Sequence, residues 1–313
     1  MSQPIQIRMG GYGPATTCFS LALKRIGERL TTEFADRVAI KYVWNIMDFG
    51  YRAEDILWLV ESGVLTLGYQ SSSYLTDRIP ELGIVDLPFV FSQKDAARAA
   101  MDGALGATLA RAIEARSGFA ILGWFENGFR HVSNRLRPVR APADLAGMRI
   151  RVLPSRIQAR TFELLGAEPL RWDLTEALAA IAAGTIDAQE NPLANTVTYG
   201  AHKFHRFHTL TNHFYVSRPV FLNRPAFDAW PEDLKAAMRA AVAEAVAYQR
   251  DLAIAEEQDA RRAIEQSERG CEIVELTPDE ARRLRGRRAP PLRGRRAELR
   301  GRLFRLLLPS LAS

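Results

Sequence analysis

Among the side chains of this sequence whose type and position could do chemistry, Arg151 and Asn191 stand out. An arginine offers a planar fork of donors that matches a carboxylate at two points, so one residue can fix both the charge and the orientation of a small acid. Asn191 precedes Pro192, which biases it toward extended backbone and lets its amide donate to the same anion. The plainer alternatives are a surface strand arginine and a turn-forming asparagine. Ser71, Ser72 and Ser73 form a hydroxyl run with no GxSxG elbow and no histidine nearby in sequence, so they read as hydrogen-bond donors at a strand end, not as nucleophiles. His202, His205 and His208 recur every third residue, a spacing that can set imidazoles on one helix face. Neither a carboxylate nor a cysteine completes a metal shell, and the trio reads as a polar helix end with no metal expected. Glu190 and His213 are the only acid-base candidates, and neither sits in a recognised catalytic motif.

These side chains need elements to hold them. Residues 148–153 alternate apolar Met148, Ile150 and Val152 with Arg149 and Arg151, the period of a half-buried strand. Pro154 and Ser155 stop it, a helix follows through Ile157, Phe162, Leu164 and Leu165, and Gly166 suits its left-handed end. A second helix is expected over 174–183, capped by Asp173 and closed by Gly184, and a short strand over 185–189. Strands alternating with helices predict a parallel sheet covered on both faces, and such sheets bind ligands beyond the carboxyl ends of their strands. Trp172 and Leu174 lie beside such an end, either as walls that sort ligands by shape or as core.

Elsewhere, strands are expected at 5–9, 38–44, within 63–75, at 119–124 and at 209–217. Helices are expected from Phe19 to Leu30, over 56–62, over 92–116, and from Trp230-Pro231 to about Gln266. A turn, a strand and a capped helix start follow at 267–280. Gly10 to Pro14 turn into the first helix, whose start can hold an anion on backbone N–H groups. Their spacing fails the dinucleotide fingerprint, so no cofactor is expected, and Tyr12 either faces a ligand or packs on the rim.

The 313 residues suffice for two domains, and 47% hydrophobic with 25% charged residues is ordinary for a globular protein. No apolar run is long enough for a membrane span, and the first six residues show no secretory leader. Cys18 and Cys271 allow one disulfide at most and read as isolated thiols. The net charge of +6 is concentrated at one end: residues 284–313 carry nine arginines and one glutamate, and the rest of the chain sums to −2. That argues against a nucleic-acid partner for the body of the protein. The tail, broken by Pro290 and Pro291, is expected to lack a packed structure, and we read it as a reading-frame change near Leu284.

GMRIRVLPS, LGAEPL and TEALAAIAAGTIDAQENP, in this order and spacing, resemble the signature region of solute-binding proteins of tripartite ATP-independent periplasmic (TRAP) transporters, the DctP-like family. The resemblance runs from Ile5 to about Arg283. It implies a two-domain α/β fold of the periplasmic-binding-protein type II class, with hinge strands and a long bracing helix. Domain I would comprise 1–126 and 215–252, and domain II 127–214 and 253–283. It further implies a non-enzymatic, periplasmic protein that captures a small organic acid in an interdomain cleft by hinge closure and delivers it to membrane permease subunits. A hydrolase or lyase acting on a small carboxylate is the alternative. By position, Arg151 would clamp the ligand carboxylate, with Arg130 of ENGFRHVSN and Asn191 assisting. Tyr12 and the loop carrying Tyr69, Ser71 and Ser73 would serve from domain I, and His213 and Phe214 would lie near the hinge.

Overall fold

The structure is a computed structural model, and it describes residues 3–286. In chain order the elements begin with β1 (Ile5–Gly10), α1 (Cys18–Phe34), β2 (Val38–Val43), α2 (Ile56–Glu61), β3 (Leu67–Tyr69), α3 (Lys94–Asp102), α4 (Ala104–Glu114) and β4 (Phe119–Asn134). They continue with β5 (Arg149–Val152), α5 (Arg156–Leu164), β6 (Glu168–Arg171), α6 (Leu174–Ala182), β7 (Ala188–Asn191), α7 (Leu193–Thr198) and β8 (Phe207–Asn223). The last are α8 (Arg224–Asp228), α9 (Glu232–Glu265), β9 (Glu272–Val274) and α10 (Pro278–Arg285). The chain divides into two compact units: the first holds residues up to Ser71, Gly106–Glu126 and Ser217–Ala255, the second Ser72–Leu105, Asn127–Val216 and the chain from Glu256.

In the first unit the strand order is β2-β1-β3-β8-β4, with β1 parallel to β2 and β3, and β8 antiparallel to β3. Thr17 caps α1, and the buried face of that helix carries Phe19, Leu23, Ile26 and Leu30 at helical spacing. Gly27 lets α1 approach β2 closely, because a methyl group there would lie 2.0 Å from the Tyr42 hydroxyl oxygen. The second unit continues β8 and β4 into β7, β5 and β6, with β9 on the free side of β8. Strands β5, β6 and β7 are parallel, as the alternation of strand and helix requires. Their buried faces form a core of Met148, Ile150, Val152, Phe162, Ala188 and Phe214, among others. Gly166, at φ +95°, turns the chain out of α5 at the position expected for it.

Several expectations are corrected. The strand expected at 185–189 begins later and contains Glu190 and Asn191. The helix expected over 92–116 is two helices, because Gly103 leaves the helical region between them (φ −95°, ψ −151°). Strands β4 and β8 run 16 and 17 residues, far beyond the expected stretches. Residues 72–105, expected in the first domain, group with the second unit, where Gln158 of α5 donates to Ser73 and Asp86.

The three histidines do not share a helix face: His202 lies in a short turn, His205 follows it, and His208 is in β8. Among the described residues no group of three or more metal-type side chains converges. Among the described residues neither cysteine forms a disulfide. Among the described residues no helix is long and apolar enough to cross a membrane. The expected tail begins differently: Leu284 is buried at the end of α10, whose start is closed by a reciprocal Thr277–Glu280 capping box. From residue 287 the tail lies outside the described residues.

Candidate ligand site in the second unit

The parallel register aligns Arg151 on β5 with Leu170 on β6 and Gln189 on β7, so Arg151 is flanked on both sides by strands. Its side chain is 1% exposed. Nε donates to the Trp172 carbonyl at 2.9 Å, and Nη2 donates to the Tyr74 hydroxyl at 3.1 Å. Both partners are neutral, and among the described residues Arg151 makes no ion pair. Burying a cation without a paired anion is costly, so such a group is poised to meet an anion from outside the chain. The surface-arginine alternative is thereby removed.

Arg130, the second arginine named by resemblance, is differently placed. Buried on β4, it forms a two-toothed ion pair with Glu190 of β7, and Nη2 reaches Glu190 Oε1 at 2.8 Å. His213 Nε2 lies 3.3 Å from Glu190 Oε2, and His213 Nδ1 is 2.6 Å from the Thr211 hydroxyl. Burial alone would raise the Glu190 carboxyl, but the Arg130 charge and the contacts from His213 and Arg130 outweigh it and hold the group at about 2. Burial pushes the His213 imidazole down. The two acid-base candidates are thus engaged with each other and with Arg130.

Asn191 stands opposite His131 in the antiparallel β4–β7 pair. Its Nδ2 donates to Gln189 Oε1 at 2.8 Å, and Gln189 Nε2 donates in turn to Ser133 and Thr196 hydroxyls at 3.3 and 3.1 Å. Ser133 completes the relay with His205 Nδ1 at 2.9 Å. Asn191 is therefore oriented by a chain of side chains and is no loose turn former.

Trp172 and Leu174 contribute through their backbones. The Trp172 carbonyl receives Arg151, and the Leu174 N–H donates to the Tyr74 hydroxyl at 3.2 Å. The Trp172 ring packs against Ile181, Ile186 and Ala201. Phe214 belongs to the core of the unit, edge-on to Phe162 and to His213. Ser73 is fully buried and donates to Asp86 Oδ1 at 2.7 Å, so its hydroxyl is spent inside the unit.

Three expected residues lie in the first unit. Tyr12 and Tyr69, with Phe19, surround the buried guanidinium of Arg218, whose Cζ is 4.0 Å from the Phe19 ring centroid, 5.2 Å from that of Tyr12 and 5.7 Å from that of Tyr69. The Ser71 hydroxyl is buried with no hydrogen-bond partner among the described residues. The reading of the sequence missed Arg218, Tyr74 and Gln189. Tyr74 and Gln189 stand beside residues that were named, but Arg218 meets aromatics about 150 to 200 positions away, and no local signal marks it.

The family model for bacterial extracellular solute-binding protein family 7, DctP, matches residues 21–293. A solute-binding protein of Verminephrobacter eiseniae is 34% identical over 172 residues, 55% of this chain and 51% of its own length. The 2,3-diketo-L-gulonate-binding periplasmic protein YiaO of Escherichia coli is 32% identical over 218 residues, 69% of this chain and 65% of its own. The match therefore spans about half to two-thirds of these relatives. The crystal structure of the sugar acid binding protein DctPAm from Advenella mimigardefordensis, in complex with galactonate, superposes with a TM-score of 0.91 at 25% identity, covering 100% of this chain and 99% of that one. Its fold is thus the two-domain fold expected from the resemblance. The match along the chain, together with a buried arginine at a strand end, establishes that this chain belongs to the DctP family of bacterial extracellular solute-binding proteins.

Proposed function

We propose that the protein is the extracytoplasmic capture component of a TRAP transporter, binding a small organic acid and passing it to the membrane permease. The observation that carries this reading is Arg151, a buried guanidinium held by neutral oxygens alone. With Nε and one Nη2 hydrogen engaged, the outer edge formed by Nη1 and the second Nη2 hydrogen remains to take a carboxylate end-on. Asn191 adds a neutral donor of fixed orientation. Arg130 serves the architecture, since Glu190 already neutralises it. The bound acids of related solved structures, galactonate, glucuronate and succinate, name the ligand classes to try first.

A hydrolase or lyase would need a free base, and Glu190 at about 2 is a poor one. The family description, bacterial extracellular solute-binding protein, supports a periplasmic location.

The decisive experiment is titration calorimetry of the full chain against galactonate, glucuronate and succinate. Arg151→Ala should weaken the acid that binds by about a hundredfold or more, roughly 3 kcal/mol, and Asn191→Ala by about tenfold. An Arg151→Ala protein that binds the same acid as tightly as wild type would refute the clamp.

A further inference from the structure

We propose that Tyr74 is a positioning residue for Arg151: its hydroxyl sets the plane of the guanidinium so that the outer edge is presented to the acid. This rests on the reading of Arg151 given above, and it concerns a residue outside the expected ligand set. The ring of Tyr74 packs against the core of the second unit. Its hydroxyl oxygen accepts from Arg151 Nη2 at 3.1 Å and from the Leu174 N–H at 3.2 Å. Its own proton goes to the Asp173 carboxylate, at the cap of α6. One oxygen therefore ties the guanidinium to the start of a helix.

The geometry explains why one acceptor matters. A guanidinium is planar, and two fixed donors on one edge, Nε on Trp172 and Nη2 on Tyr74, define that plane completely. Remove the second and only a single hydrogen bond at Nε remains, about which the group can swing. Preorganising a donor pair lowers the cost of ordering it when a ligand arrives.

Tyr74 is itself held. The preceding residue, Ser73, donates to Asp86 Oδ1, and Gln158 Nε2 on α5 donates to both, at 3.0 and 3.1 Å. Burial raises the Asp86 carboxyl, and the hydroxyls of Ser155 and Ser73 and the Gln158 amide work against that rise. Serine 73, expected at the ligand, acts one residue away by fixing the backbone that carries Tyr74.

Tyr74→Phe keeps the ring and removes only the hydroxyl. Two measurements on the full chain test the proposal. In the acid-free protein, spectra of 15N-labelled arginine side chains should resolve separate Nη resonances for Arg151, and in Tyr74→Phe these should merge as the group rotates freely. Unchanged Arg151 resonances overturn the proposal whether or not any acid binds. In calorimetry with galactonate, glucuronate and succinate, Tyr74→Phe should weaken the bound acid about tenfold at an unchanged fold. The double variant Tyr74→Phe, Arg151→Ala should bind no more weakly than Arg151→Ala alone. Losses that multiply in the double variant would show that Tyr74 acts on its own account and sink the idea. If wild type binds none of the acids, the transport reading fails while the resonance test still decides the role of Tyr74.

Discussion

Two arginines buried to the same degree in one unit do opposite things, and the difference is the company each keeps. Arg130 has a carboxylate within its fork, so removing Glu190 leaves an uncompensated buried charge. Glu190→Ala should therefore cost about 3–5 kcal/mol of stability, measured by urea unfolding. Arg151 already carries its charge without an ion pair, so its truncation forfeits two hydrogen bonds but relieves a desolvated cation. Arg151→Ala should stay within about 1 kcal/mol of wild type in the same experiment, while acid binding collapses. A large stability loss in Arg151→Ala with a small one in Glu190→Ala would invert the assignment. The role of Arg130 is not readable from the sequence: Arg130 and Glu190 are sixty positions apart, and only the β4–β7 register brings them together. Arg151 was legible because its strand alternates and its family motif is local.

At the scale of elements, what the sequence shows depends on whether local signals mark where an element begins and ends. The stretch from β5 to α6 reads well because its strands are short, its helices amphipathic, and Asp173, Gly166 and Gly184 mark their ends. Strands β4 and β8 are buried along almost their whole length, so no polar alternation announces where they continue. Helix α1 offers a test of close packing. Gly27→Ala gains about 1 kcal/mol of helix propensity, but the added methyl would sit 2.0 Å from the Tyr42 hydroxyl and 2.9 Å from Ile40. Overpacking of this kind costs about 1–3 kcal/mol, so the net effect on urea midpoint should be destabilising. Buried histidines beside and within β8 contribute to the acid sensitivity of the second unit. Burial holds His205 neutral, down to about 3, and His208 down to about 4. In the unfolded chain both titrate near 6.5, so folding stability is full above that value and falls as pH drops from about 6.5 toward 4. Stability should decline by up to ~2–3 kcal/mol per pH unit over that window. His205→Gln should flatten part of the decline; a variant whose acid profile matches wild type would remove His205 as a cause.

For the whole molecule, the bookkeeping of charge and ligand meets in one measurement. Outside the arginine-rich end the chain carries only −2, so an acid finds no strong long-range attraction and its affinity must come from the site itself. Binding that favours the folded protein stabilises it by RT ln(1 + [L]/Kd), about 2.7 kcal/mol at a hundredfold excess over Kd. For a protein of this size that corresponds to a melting shift of roughly 4 °C. The shift should vanish in Arg151→Ala and survive in Cys271→Ser, whose thiol lies among Leu193, Ile264 and Ile273 and takes no part in the site. Hydrogen exchange adds the location: on adding the acid, amides of β5, of the first turn of α6 and of β7 should exchange more slowly, because these carry Arg151, Leu174 and Asn191. Protection that appears in α1 and β2 of the first unit while β5, α6 and β7 exchange as before would place the ligand away from Arg151, whatever the melting curve shows.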